Sequence, residues 1–205
     1  FHSEFVSINE KSFQVVRQLG EGGFSYVYLV KDPRNNAQFA LKRVRIQLPE
    51  HKTMLDREIR AHAQLAASRN VIKLVDSAII YQGSSPSEGL LLLPFYPGGT
   101  CQDLIDRSTP SQRVLLKTIL SLTADICQGL LDIHAKGLAY RDLKPANVII
   151  DEHGRAILMD LGSVTTAKVV INSRKEALAL QELAGETCTA PYRAPELFEV
   201  PSPVY

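Results

Sequence analysis

The sequence predicts an α+β chain of two lobes: a five-stranded antiparallel sheet with one helix, then a mostly helical part. Three observations carry this. Runs rich in Val, Tyr, Leu and Ile fall at 13–19, 26–31, 39–44, 71–81 and 90–93. A short helical pattern lies among them at 52–65, and a longer one occupies 111–136. Between the halves, Pro94-Phe95-Tyr96-Pro97-Gly98-Gly99 reads as a hinge. The expected division is a flank over 1–12, a first lobe over 13–93, a hinge over 94–99 and a second lobe over 100–205.

Of the 205 residues, 45% are hydrophobic and 22% charged, so a packed core can form. The net charge of +1 supplies no field for nucleic acid or a membrane surface. Cys101, Cys127 and Cys188 are odd in number and widely spaced, which suggests a reducing compartment and small buried side chains. No apolar run approaches the roughly 20 residues a bilayer requires. Leu90-Leu91-Leu92-Leu93 reads as a buried strand.

The first two strand runs flank Gly20-Glu21-Gly22-Gly23-Phe24-Ser25. Glycines let a backbone approach phosphate oxygens, but a plain hairpin turn has the same composition. A dinucleotide fingerprint would need a strand-to-helix turn, and this loop joins strand to strand. Asp32-Pro33-Arg34-Asn35-Asn36 is a turn cluster, and Pro49 closes the strand region. In the helical run, Leu55, Ile59, His62 and Ala66 recur at steps of three and four, so His62 is expected to pack on the helix face. The 82–89 stretch is polar and is expected to be a mobile loop. In the second lobe Leu115, Ile119, Leu122, Ile126, Leu130 and Ile133 form one stripe, with Gly137 as the stop; His134 beside the stripe is read as structural.

The chemistry concentrates in Tyr140-Arg141-Asp142-Leu143-Lys144-Pro145-Ala146-Asn147. An apolar hairpin over 148–159 follows, and then Asp160. Polar groups between apolar strands make sense if they converge on a phosphate and a metal ion. Asp142 can accept a proton from a hydroxyl and Lys144 can neutralise a phosphoryl group. Asn147 and Asp160 can offer oxygen ligands to Mg²⁺. A lone Asp after a strand is usually a turn residue. Four polar types at this spacing, with Asp160-Leu161-Gly162 downstream, rarely coincide.

This stretch resembles the catalytic loop of eukaryotic protein kinases, H-R-D-L-x-x-x-N followed by D-F-G. Tyr140 stands for the usual His and Leu161 for the usual Phe, both packing positions in that family. The glycine stretch resembles the kinase lid, with Val27 over the adenine. Phe39-Ala40-Leu41-Lys42 resembles V-A-I-K, which implies that Lys42 grips the α- and β-phosphates and that Glu58 pairs with it. Taken singly, Lys42 and Glu58 would be ordinary surface residues.

The resemblance further implies a nucleotide pocket containing Ala40, Leu93, Pro94 and Ile149. Pro94 has no N–H, so Tyr96 is the expected adenine donor. Lys144 and Thr189 are the serine/threonine-kinase choices at their positions. Arg141 is expected to tie the loop to an acidic or phosphorylated group, with Ser163, Thr165, Thr166, Ser173 and Thr187 as candidates. The implied reaction moves the γ-phosphoryl of ATP, with Mg²⁺, to Ser or Thr hydroxyls of proteins. Helix formers over 175–184, followed by Gly185, place a helix in the activation segment. That helix, with Leu158-Met159-Asp160-Leu161-Gly162-Ser163 and Tyr192-Arg193-Ala194-Pro195-Glu196, resembles the Numb-associated kinases, most of all their myristoylated and palmitoylated branch. That branch implies a cytoplasmic enzyme attached peripherally to Golgi, vesicle or vacuole membranes through a lipid anchor before Phe1.

Two alternatives stand beside an active kinase. One is a nucleotide-binding pseudokinase or scaffold, which the complete Lys42, Glu58, Asp142, Asn147 and Asp160 set argues against. The other is an inactive fragment. Kinase domains continue past the Glu196 position with helices, one carrying an Arg partner for that Glu, so the 205-residue chain alone is expected to be poorly stable.

Overall fold

A computed structural model describes residues 4–109 and 111–201. The outermost residues of the expected flank and second lobe, 1–3 and 202–205, lie outside the described residues. The chain divides into two compact units, Phe1–Ala67 with Ile72–Pro97, and Ser68–Val71 with Gly98–Tyr205.

The first unit is an antiparallel sheet of β1 (Phe5–Ile8), β2 (Lys11–Glu21), β3 (Ser25–Lys31), β4 (Gln38–Arg45), β5 (Asp76–Gln82) and β6 (Ser85–Pro94), in the order β1-β2-β3-β4-β6-β5. The five expected strands are therefore six. Phe5–Ile8, expected to be flank, pairs with β2 through Val6 opposite Phe13, and Ile8 is wholly buried. Four residues show too little alternation to stand out before their partner strand is known.

The 82–89 stretch, expected to be a mobile loop, is mostly strand. Only Gly83 and Ser84 turn, and β6 begins at Ser85. Ladder bonds to β5 impose strand structure on polar text such as Ser85-Pro86-Ser87-Glu88. β6 is buried on both faces, which explains its unbroken apolar run. Leu90 and Leu92 join Ile8, Phe13, Val30 and Leu41 on one side. Leu91 joins Ile46 and Leu55 on the other. Leu55 belongs to α1 (Pro49–Gln64). The strand region has ended by Pro49, as expected, and Pro49 already begins this helix, ahead of the expected 52, since a first-turn proline lacks only an N–H that would be unpaired anyway.

The second unit holds α2 (Cys101–Asp106), α3 (Leu116–Ala135), β7 (Leu138–Tyr140), β8 (Val148–Ile150), β9 (Ala156–Leu158), β10 (Val164–Thr166) and α4 (Arg174–Thr187). α2 was not foreseen; its Thr100 and Asp103 cap each other reciprocally. α3 starts later than the expected 111, because Thr109 and Gln112 bond to each other in a turn. Its stripe is only partly covered among the described residues: Leu122 and Ile133 are buried, whereas Leu115 and Ile119 are exposed. Gly137 at φ 69° ends the helix as expected. Hydrogen exchange of the 85–89 amides tests the extended hairpin. Slow exchange is expected for those paired with β5, whereas free-peptide rates would restore a loop.

Ser68–Val71 belongs to this unit, although Val71 was expected to open a sheet strand. Val71 bridges to Leu158, the Leu158 N–H donates to the Asn70 carbonyl, and Asn70 Nδ2 donates to the Ala156 carbonyl. Gly129 of α3 makes room for this segment: a Cβ there would meet the Asn70 carbonyl oxygen at 2.8 Å and Leu158 Cδ1 at 2.9 Å. Helix propensity alone would favour Ala over Gly by about 1 kcal/mol. Overpacking against backbone costs about 1–3 kcal/mol, so the clash should win. Gly129→Ala is therefore expected to lower the melting temperature, and a rise would mean that 68–71 does not lie against α3.

Candidate active site

The sequence-derived residue set divides between the two units. In the first, strand register places four members, Val27, Ala40, Lys42 and Leu93, on one face. Val27 is the direct partner of Lys42, and Ala40 that of Leu93. Lys42 and Ala40 are two apart on β4, so all four side chains share a face. That face also carries Leu91, which packs with Leu55 of α1. Lys42 Nζ consequently meets Glu58 Oε1 of α1 at 2.8 Å, both side chains being largely buried. Burying a lone charge is costly, so each ion holds the other in place.

The glycine stretch is the tip of the β2–β3 hairpin. Gly20 and Glu21 still pair with Val27 and Tyr26, and the Gly22 N–H donates to the Ser25 carbonyl at 2.8 Å. Gly23 and Phe24 form the apex, where Phe24 lies against the His51 ring at 4.3 Å. Pro94 ends β6, and Tyr96 follows it half-buried.

The second unit gathers the remaining residues around Asp142. The loop runs from β7 into a single 3-10 turn, Pro145–Asn147. Asn147 Nδ2 donates to both the Asp142 carbonyl and Asp142 Oδ2, each at 2.9 Å. Lys144 Nζ lies 2.7 Å from Asp142 Oδ2 and donates to Thr189 Oγ1 at 2.6 Å. The Thr189 N–H donates to Asp142 Oδ1 at 2.8 Å. Burial pushes the Asp142 carboxyl up, but the Lys144 and Thr189 bonds outweigh it and hold the group below its ordinary value. Arg141 is half-buried and makes no hydrogen bond or ion pair to another described residue.

Asp160 sits in the left-handed region at φ 57° and ψ 74°, a conformation that surrounding contacts must enforce in a non-glycine residue. The chain leading into it is restrained at Met159. Its N–H donates to the Asn147 carbonyl at 2.9 Å, and its carbonyl accepts the Tyr140 hydroxyl. Tyr140, expected only to pack, is buried, yet its phenol also bonds. The one sign in the sequence was a hydroxyl-bearing ring where His is usual. Leu161 is buried, and Ile149 of β8 pairs with Ile157.

Asn147 uses its amide nitrogen on Asp142, leaving the amide oxygen as the atom that can serve a cation. With the Asp160 carboxylate this is an all-oxygen pair, suited to Mg²⁺ completed by phosphate and water. Among the described residues, no three His, Cys, Asp or Glu side chains cluster as a metal centre. No helix among them is long and apolar enough to cross a membrane.

A family model for the protein kinase domain matches residues 13–202. Serine/threonine-protein kinase 16 of Rattus norvegicus is 41% identical over 198 residues, covering 96% of this chain and 64% of its own length. The Homo sapiens protein of that name is 40% identical with the same coverage. Serine/threonine-protein kinase ENV7 of Saccharomyces cerevisiae is 26% identical over 98% of this chain and 70% of its own. The chain thus spans 64% of the length of the first two.

The Lys42–Glu58 geometry makes a stability prediction. Lys42→Met leaves a buried carboxylate without its ammonium and should lower unfolding free energy by about 3–5 kcal/mol. Adding Glu58→Leu should recover much of that, read by urea denaturation. A double variant less stable than the single one would show that the pair is not the dominant contact of either residue.

Proposed function

The chain belongs to the protein kinase domain family, and we propose that the protein transfers the γ-phosphoryl group of ATP to Ser and Thr hydroxyls of protein substrates. The observation that carries the reading is the Asp142 cluster. A buried carboxylate kept ionised is bonded through Lys144 to a threonine 47 residues away. Such a carboxylate can accept the proton of a hydroxyl, and the adjacent ammonium can neutralise charge on a phosphoryl group.

In the reaction, the substrate hydroxyl gives its proton to Asp142 as its oxygen bonds to the γ-phosphorus. The bond from that phosphorus to the bridging oxygen breaks, and ADP departs with the electron pair. Lys144 offsets negative charge on the moving group, and Asn147 keeps the Asp142 carboxylate aimed. Lys42, held by Glu58, is the residue for the α- and β-phosphates. Asn147 and Asp160 would hold Mg²⁺, which when bound neutralises phosphate charge. Little covalent chemistry falls to the protein, so positioning and electrostatics supply most of the acceleration.

The choice of Ser and Thr acceptors rests on Lys144 and Thr189. Arg141, without a hydrogen bond or ion pair among the described residues, supports its reading as an anchor for an acidic or phosphorylated group in the 163–187 segment. Placement among the Numb-associated kinases, and an acylated, cytoplasmic enzyme peripheral to Golgi or vesicle membranes, rests on the motif resemblance. Fractionation of the full-length protein before and after removal of thioester-linked lipid tests it.

Transfer of labelled phosphate from Mg-ATP to a generic Ser/Thr substrate is the direct test. In the full-length protein, Asp142→Asn should lower kcat by about 10²–10⁴-fold while leaving nucleotide affinity near wild type. Asp160→Asn should abolish transfer and weaken Mg-ATP more than metal-free ATP. Binding without transfer in the wild type would move the reading to a scaffold.

A further inference from the structure

Arg193 has no place in the chemistry above, yet it makes a dense set of contacts close to the Asp142 cluster. Its Nε and one terminal nitrogen donate to the Cys188 carbonyl at 3.3 and 2.8 Å. The same terminal nitrogen reaches the Gly185 carbonyl at 3.3 Å. Its guanidinium carbon lies 4.7 Å from the centre of the Phe198 ring. The contacts meet two needs. The last carbonyls of α4 have no partner within the helix, and a cation at a helix C-terminus is favoured. The aromatic face fixes the plane of the guanidinium fork.

The consequence lies in one peptide bond. The Cys188 carbonyl and the Thr189 N–H belong to the same planar unit and point in opposite directions. Arg193 grips the carbonyl end, and Asp142 Oδ1 accepts from the N–H end, each at 2.8 Å. The Thr189 carbonyl is itself bonded by the Tyr192 N–H at 2.9 Å. A cation on the carbonyl also polarises the amide and strengthens its N–H as a donor.

We propose that Arg193 is a positioning residue for phosphoryl transfer: it orients the 188–189 peptide so that Thr189 meets Asp142 and Lys144. This rests on the kinase reading of Asp142 and Lys144. It differs from a helix-end charge, which any cation would supply, because it needs the planar fork.

The test uses the full-length protein, with steady-state transfer from Mg-ATP and hydrogen exchange of the Thr189 amide, in wild type, Arg193→Ala and Arg193→Lys. Arg193→Ala should lower kcat by about 10–100-fold, the scale of a misplaced catalytic group. KM for ATP should stay within about two-fold, and the Thr189 amide should exchange at least about ten-fold faster, with α3 amides unchanged. Lys should restore the melting temperature but not kcat or the exchange rate. Unchanged kcat in Arg193→Ala, or full rescue by Lys, would overturn the proposal. Should the wild type bind nucleotide without transfer, the kinase reading fails by itself. The exchange rate then still decides, an unchanged Thr189 amide overturning the orienting role.

Discussion

Asp142 is a buried carboxylate that keeps its charge, and the second unit is arranged around the three donors that allow this. Oδ2 receives Lys144 and Asn147, and Oδ1 receives the Thr189 N–H. Without them an ionised carboxylate in such a place would carry a penalty of several kcal/mol. The donors come from distant stretches, so the loop after β7 and the segment after α4 must meet. The β8–β9 hairpin, the β7–β10 pairing and the Asn147–Met159 bond make that meeting reproducible. The charge therefore specifies an arrangement more than it stabilises one.

The first unit follows the same logic on a different scaffold. Lys42 sits mid-strand on a buried face, where its partner must come from another element, and α1 provides Glu58. The pair depends on how closely α1 rides on the sheet. Leu55 of α1 lies over Gly89 of β6, where a Cβ would come within 2.1 Å of Leu55 Cδ2 and force that side chain to shift.

Asp160 brings the two themes together. Its left-handed backbone is unfavourable in itself, and bonds from Tyr140 and Asn147 to the Met159 peptide groups restrain the approach to it. The Tyr140 phenol does what no side chain ending in carbon could. The arrangement nevertheless keeps the packing role the sequence suggested, because the ring is buried while its oxygen bonds.

What the sequence by itself determined was the inventory and its local settings. The spacing between Asp142 and Asn147 is short-range, so a turn expresses it directly. The Gly137 stop, the strand-to-strand glycine loop and the helix within 174–187 likewise depend on neighbours a few residues apart. Tertiary structure decided everything that needed a partner far along the chain. Phe5–Ile8 became a strand because β2 offered an edge, and 85–89 because β5 did. Ser68–Val71 joined the second unit through Asn70, although nothing local distinguishes it from the sheet that follows. Arg193 reaches a carbonyl only five residues back, but the Thr189 N–H on the same peptide meets Asp142 across 47 residues, and only the fold supplies that bond. Local backbone preferences are written residue by residue, whereas a hydrogen bond across tens of residues exists only after chain entropy has been overcome elsewhere.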